Sequence, residues 1–146
     1  MPRLRFHLNF VKDGDTIIAS QLAANARTET IRFYGIDCPE LAQHPYGEQA
    51  RQRIEQLLAP YDTLEIIEVD RDRHGRLVGE VWVTDGCLNT QLLSEGLAVA
   101  YRKHLHGDYQ RRYLEAENIA RRARLNFWRQ RDPEMPWEYR YRHPRR

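Results

Sequence analysis

Two close acids, Asp13 and Asp15, an arginine, Arg32, and a second acidic pair, Asp37 and Glu40, fall between Val11 and Glu40 of this 146-residue chain. Four carboxylates brought together repel one another, which raises their pKa values or opens the fold unless a cation or an arginine compensates them. Carboxylate oxygens are hard donors suited to Ca²⁺, Mg²⁺ or Mn²⁺, whereas zinc usually recruits imidazole or thiolate. A plainer reading of one piece stays open: Asp13-Gly14-Asp15 as a turn between strands, since Asp and Gly are residues that turns use. Close acids beside an arginine, with a cation to compensate them, make a catalytic composition.

Asp13-Gly14-Asp15-Thr16, then Arg32 followed by Asp37, Pro39 and Glu40, then Asp72-Arg73-His74-Gly75-Arg76 resemble the motif blocks of the thermonuclease, or staphylococcal nuclease-like, family. They stand in the family's order, and the resemblance runs from about Phe6 to Trp128. It implies that Asp15 and Asp37 are Ca²⁺ ligands, with the backbone carbonyl of Cys38 completing the protein's share where the family commonly has Thr, and with Asp13 as an accessory acid. By the same resemblance Glu40 is the general base, and Arg32 and Arg76 clamp the phosphate. Tyr101, aligned by deleting one residue before it, falls at the nucleotide pocket, and His74 stands where the family often carries an aromatic residue near the base. The implied activity is that of a calcium-dependent, sugar-nonspecific endonuclease on DNA, single strands preferred, and RNA, releasing the 5′ oxygen and leaving 3′-phosphate ends. The loop from Leu41 to Tyr46 is shorter than in the family's best-known member. The competing reading is a non-catalytic nuclease-like nucleic-acid-binding module. Such modules typically lack the acidic and arginine set, whereas Asp15, Arg32, Asp37, Glu40 and Arg76 are all present here.

The elements that must position these groups are legible in outline. Leu4, Phe6, Leu8 and Phe10 alternate with polar residues, the period of a half-buried strand. A second strand runs from Thr16 to Leu22 and a third from about Thr28 to Tyr34, where Ile31 and Phe33 share one face and Arg32 takes the other. Tyr46-Gly47-Glu48 opens a helix with Ala50, Ile54, Leu57 and Leu58 on one face, ended by Pro60. Strands from Thr63 to Val69 and Arg76 to Thr84 flank the charged turn from Asp70 to Gly75. That turn fails as an EF-hand, because its twelfth position is Val81 where a bidentate Glu is required. Leu88, Leu92 and Leu93 mark a short helix closed by Gly96. Tyr109, Tyr113, Ala116, Ala120 and Ala123 mark a longer one with Asp108 as N-cap. The pattern predicts an α+β fold, and the resemblance supplies the specific form: a five-stranded OB-fold β-barrel with three α-helices.

Length fits one domain, taken as 1–128, followed by a tail over 129–146 with three prolines, Trp137 and six arginines, read as irregular and packed partly through its aromatics. Apolar content of 41% and charged content of 30% are those of a globular protein, and no apolar run approaches the roughly 20 residues a membrane helix needs. No membrane partner is therefore expected, and the chain is taken as a monomer. The N-terminal residues show no secretory pattern, so the chain as it stands reads as cytoplasmic, with export behind a trimmed leader as the alternative. Cys38 and Cys87 form no C-x-x-C pair and are expected to be free thiols. Charge is uneven: residues 1–101 hold 10 basic and 15 acidic side chains, net −5, while residues 102–146 hold 13 and 6, net +7. Arginine dominates that basic third, and its planar fork suits phosphate contact.

Overall fold

The first strand, β1 (Arg3–Asp13), keeps its alternation only as far as a bulge. The computed structural model describes residues 3–23, 25 and 27–144; Met1 and Pro2 of the N-terminal reading, and Arg145 and Arg146 of the basic tail, lie outside them. Phe6 is fully buried and Leu4 and Leu8 are half-buried, but the register against the next strand shifts between Leu8 and Phe10. One extra residue reverses the faces beyond it, so Phe10 is 56% exposed and Val11 takes the inward place.

Along the chain, β2 (Thr16–Gln21), β3 (Thr28–Phe33) and the two-residue β4 (Ile36–Asp37) precede α1 (Tyr46–Leu58). Next, β5 (Leu64–Arg71), β6 (Leu77–Val83) and β7 (Gly86–Cys87) lead to α2 (Leu88–Ser94). The two-residue β8 (Val99–Ala100) is followed by a 3₁₀ turn at Arg102–His104, then α3 (Gly107–Ala123), a second 3₁₀ turn at Asn126–Arg129, and α4 (Pro136–Arg142). β1 pairs antiparallel with both β2 and β5, β2 with β3, and β5 with β6, while β3 and β6 pair in parallel. Those five strands close a ring, the OB-type barrel expected. β4 and β8 form a separate small ladder with Asp37 opposite Val99.

Apolar side chains of the ring and of α1 and α2 fill one core that includes Phe6, Ile17, Ile31, Phe33, Ile54 and Leu92. Tyr113 is buried at the core as expected, and Tyr109 packs against it half-buried. Three details differ from the sequence reading. A fourth helix, α4, occupies the stretch read as irregular: Pro136 sits at the first helical position, where no N–H is needed, and Glu138 Oε1 accepts from the Met135 N–H at 2.9 Å. The barrel strands are joined by three two-residue strands. α3 begins one residue before Asp108, which lies in its first turn while His106 is the cap.

A buried amide ties the helical layer to the barrel. Asn89, fully buried on α2, donates to the carbonyls of Tyr34 at 3.0 Å and Gly79 at 3.3 Å, and accepts from the Val81 N–H at 2.9 Å. Replacing it takes this partner from the Tyr34 carbonyl and the Val81 N–H, each costing about 1–3 kcal/mol when buried and unsatisfied, while the Gly79 carbonyl keeps the Tyr34 N–H. Asn89→Ala is expected to lower unfolding free energy by about 3 kcal/mol in urea titrations, against a change within about 0.5 kcal/mol for Ile119→Ser on the exposed face of α3.

Candidate active site

Alternation on β3 delivers the first guanidinium. Ile31 and Phe33 are buried in the core, so Arg32 emerges on the other face. There its Nη1 lies 3.3 Å from Asp15 Oδ2 and its Nη2 lies 3.7 Å from Asp37 Oδ1. Thr16, the residue after Asp15, is the β2 partner of Arg32, which fixes the pairing of acid and base by register. Asp15 and Asp37 are only 8% and 1% exposed. Carboxylates that deep are tolerable as anions only beside cations and donors.

Asp15 has those donors. Its Oδ2 accepts from the Cys38 N–H at 2.8 Å, and its Oδ1 from the Thr16 hydroxyl at 3.2 Å. Burial works to raise its pKa, but the charge of Arg32 and these hydrogen bonds together hold it below its ordinary value. Asp37 shifts the other way: burial raises it, against donation from Arg140 and the charge of Arg32, and the Asp15 charge adds to the rise. Asp13 accepts the Asp15 N–H at 3.1 Å, as in a turn, and is pushed up to about 7 by burial and then by the neighbouring Asp15 charge. Both readings of this bend therefore meet in one place: the turn also carries the acids.

Glu40 enters from the loop before α1. Its N–H donates to Gln43 Oε1 at 2.8 Å, and Gln43 Nε2 donates to the Glu134 carbonyl at 3.0 Å, so one side chain clasps two loops. The start of α1 closes on the same backbone: a Cβ on Gly47 would sit 2.1 Å from the Glu40 carbonyl oxygen. Gly14 is needed likewise, since a Cβ there would lie 2.6 Å from Ala50 Cβ and 2.9 Å from Cys38 Sγ. Burial keeps the Cys38 thiol well above its usual pKa, with the Asp15 charge adding to the effect. It is a neutral packing group and leaves the hard oxygens as the donors. Both cysteines are buried free thiols, as expected.

The structure brings Asp13, Asp15, Arg32, Asp37, Cys38 and Glu40 together and places the remaining candidates around them. Arg76 immediately precedes β6, two residues before Val78, the parallel partner of Arg32. Its Nε donates to Asp72 Oδ2 at 2.7 Å, so its charge is engaged by its own turn. His74 is exposed in that turn, its N–H donating to Asp72 Oδ1 at 3.0 Å. Tyr101 follows β8, its N–H donating to the Gly35 carbonyl at 2.8 Å, which ties it to the residue before β4 and Asp37.

Arg140 was missed by sequence reasoning. From α4 its Nη1 donates to Asp37 Oδ1 at 2.9 Å and to Glu40 Oε1 at 3.0 Å, and its Nη2 donates to Asp37 Oδ2 at 2.6 Å. The one available signal was Pro136 with Glu138 two residues on, a helix start inside a proline-rich tail. Among the described residues no three His, Cys, Asp or Glu side chains are grouped to hold a metal ion. The carboxylates of Asp15 and Asp37, which share the Arg32 guanidinium, are hard oxygen donors of the kind that would suit a divalent cation.

Residues 30–130 match the model of a family described as staphylococcal nuclease homologue, a match that ends before α4. The chain is 32% identical over 124 residues to the thermonuclease of Staphylococcus hyicus, covering 81% of this chain and 72% of that protein. To the micrococcal nuclease of Shigella flexneri it is 33% identical over 141 residues, 89% and 76% of the two chains. It is 32% identical over 135 residues to the staphylococcal-like nuclease CAN1 of Arabidopsis thaliana, 92% of this chain but 40% of that protein. The chain thus spans less than half of the plant relative and about three quarters of each bacterial one.

Asp13 gives the cluster a pH signature. Its raised pKa means that the folded chain binds this proton more tightly than the unfolded chain does. Its contribution to stability is therefore fullest below the ordinary carboxylate range and is lost as pH rises through about 7. In chelator-treated protein, the melting temperature of Asp13→Asn is expected to gain on the wild type from about pH 4 to about pH 7 and to keep a constant lead above that. A lead that does not change with pH would contradict this assignment.

Proposed function

Because the chain belongs to the staphylococcal nuclease homologue family, we propose that it is a calcium-dependent endonuclease. It hydrolyses phosphodiester bonds of DNA, single strands preferred, and of RNA, and leaves 3′-phosphate ends. The observation that carries this reading is the convergence on Asp37. Arg32 lies 3.7 Å from it, and Glu40 shares with it the guanidinium of Arg140. Acid, phosphate-binding arginine and cation ligand are thereby held within reach of one small anion.

Each residue then has a task. Asp15, Asp37 and the Cys38 carbonyl would hold calcium, which when bound supplies positive charge beside the phosphate. Arg32, fixed by its two carboxylate neighbours, presents its remaining N–H groups to the phosphate oxygens, and their grip strengthens as charge builds there. Arg76 adds a second guanidinium once it turns from Asp72 to substrate. Glu40, its backbone pinned by Gln43 and by the close approach of Gly47, receives the proton of the attacking water. The 5′ oxygen leaves opposite the attack. Tyr101 offers its ring to one unstacked base, with His74 on the exposed turn beyond, which favours single strands.

Purified protein is expected to degrade single-stranded DNA and RNA in calcium and neither in EDTA. Glu40→Gln should slow both reactions by roughly a hundredfold or more, with substrate affinity changed far less. Oligonucleotide binding without cleavage in calcium, magnesium or manganese would instead assign the chain to the non-catalytic binding modules.

A further inference from the structure

α4 lies beyond residues 30–130, which match the family model, yet the helix and the segment just ahead of it reach into the site at three points. Arg140 takes both oxygens of Asp37 and one of Glu40. One turn earlier on the same helix face, Trp137 stacks on Tyr101, with ring centroids 5.4 Å apart and planes 10° from parallel. Gln43 clasps the Glu134 carbonyl just ahead of the helix. A guanidinium therefore covers the acids assigned to cation and water, and an indole covers the ring assigned to a base.

We propose that α4 is an intramolecular strap that closes the cleft by mimicking its ligands, Arg140 in place of the divalent cation and Trp137 in place of a nucleotide base. This rests on the nuclease reading of the site. Both Asp37 oxygens accept from Arg140, so a cation approaching Asp37 competes with that guanidinium for the same oxygens and is favoured when Arg140 lets go. The segment is built to do so. A seven-residue helix is too short to persist without its docking contacts. Pro136 is its one buried residue among those described, Tyr141 on its outer face is 88% exposed, and Gln130–Met135 joins it to the rest through chain without helix or strand. Apparent cation affinity is then the intrinsic affinity multiplied by the fraction of molecules with α4 released.

Calcium titration by calorimetry tests this in the whole chain, comparing wild type with Arg140→Gln and Trp137→Ala. Their native folds are checked by circular dichroism and urea midpoint. If about one molecule in ten is released at rest, Arg140→Gln lowers the calcium Kd about tenfold, and Trp137→Ala lowers it in the same direction without touching either acid. In the wild type, calcium should also speed hydrogen exchange of the 136–142 amides. Equal or weaker calcium binding by folded Arg140→Gln overturns the strap while leaving the nuclease reading intact, as does wild-type exchange that calcium leaves unchanged. If neither wild type nor Arg140→Gln binds calcium, both readings fall together.

Discussion

Burying carboxylates is the constraint on which the rest of this structure depends. Asp15 and Asp37 are almost fully withdrawn from water, where an uncompensated anion is strongly unfavourable. Every neighbouring choice answers that problem. Arg32 is delivered by strand register, the Cys38 N–H and the Thr16 hydroxyl point at Asp15, and a further guanidinium arrives from α4.

The helical layer follows the same logic away from the cleft. Glu80 and Glu117 are as deeply buried as Asp37 and are likewise matched. Glu80 accepts from the Tyr113 hydroxyl at 2.6 Å and from Arg112 at 3.0 Å, while Glu117 accepts from the Ala100 N–H at 2.8 Å and from Arg102 at 2.5 Å. Part of the arginine charge after Tyr101 therefore faces protein. Arg102, Arg112 and Arg140 each neutralise an acid, which leaves a smaller share of that positive charge for a polyanion than the count suggests.

What could be read from sequence depended on whether the information was local. Ile31-Arg32-Phe33 gave its facing away because period two along a strand needs no partner, and the spacing of Ala50, Ile54 and Leu58 did the same for α1. Phe10 was misplaced because a bulge is a property of a pair of strands, and alternation within β1 alone cannot reveal it. The acids of the site stood in recognisable blocks. Arg140 did not, since its partner Asp37 is 103 residues away and nothing near it in the chain asks for a carboxylate. Arg76 was placed at the right strand end, but its engagement by Asp72, four residues back, passed unnoticed beside the motif itself.

The small ladder of β4 and β8 has a consequence for how this chain can change length. It sets Asp37 against Val99 and so fixes how far the acids lie from Tyr101, two residues further on. Trp137 and Arg140 span that same interval with three residues of helix. The stretch between Tyr101 and Trp137 can lengthen or shorten at its exposed turns without disturbing this match. A single residue inserted between Trp137 and Arg140, by contrast, rotates one relative to the other by about 100°, and the two could no longer meet the cleft together. The chain is thus open to insertion at the exposed turns between Tyr101 and Trp137 and closed to it across a single turn of α4.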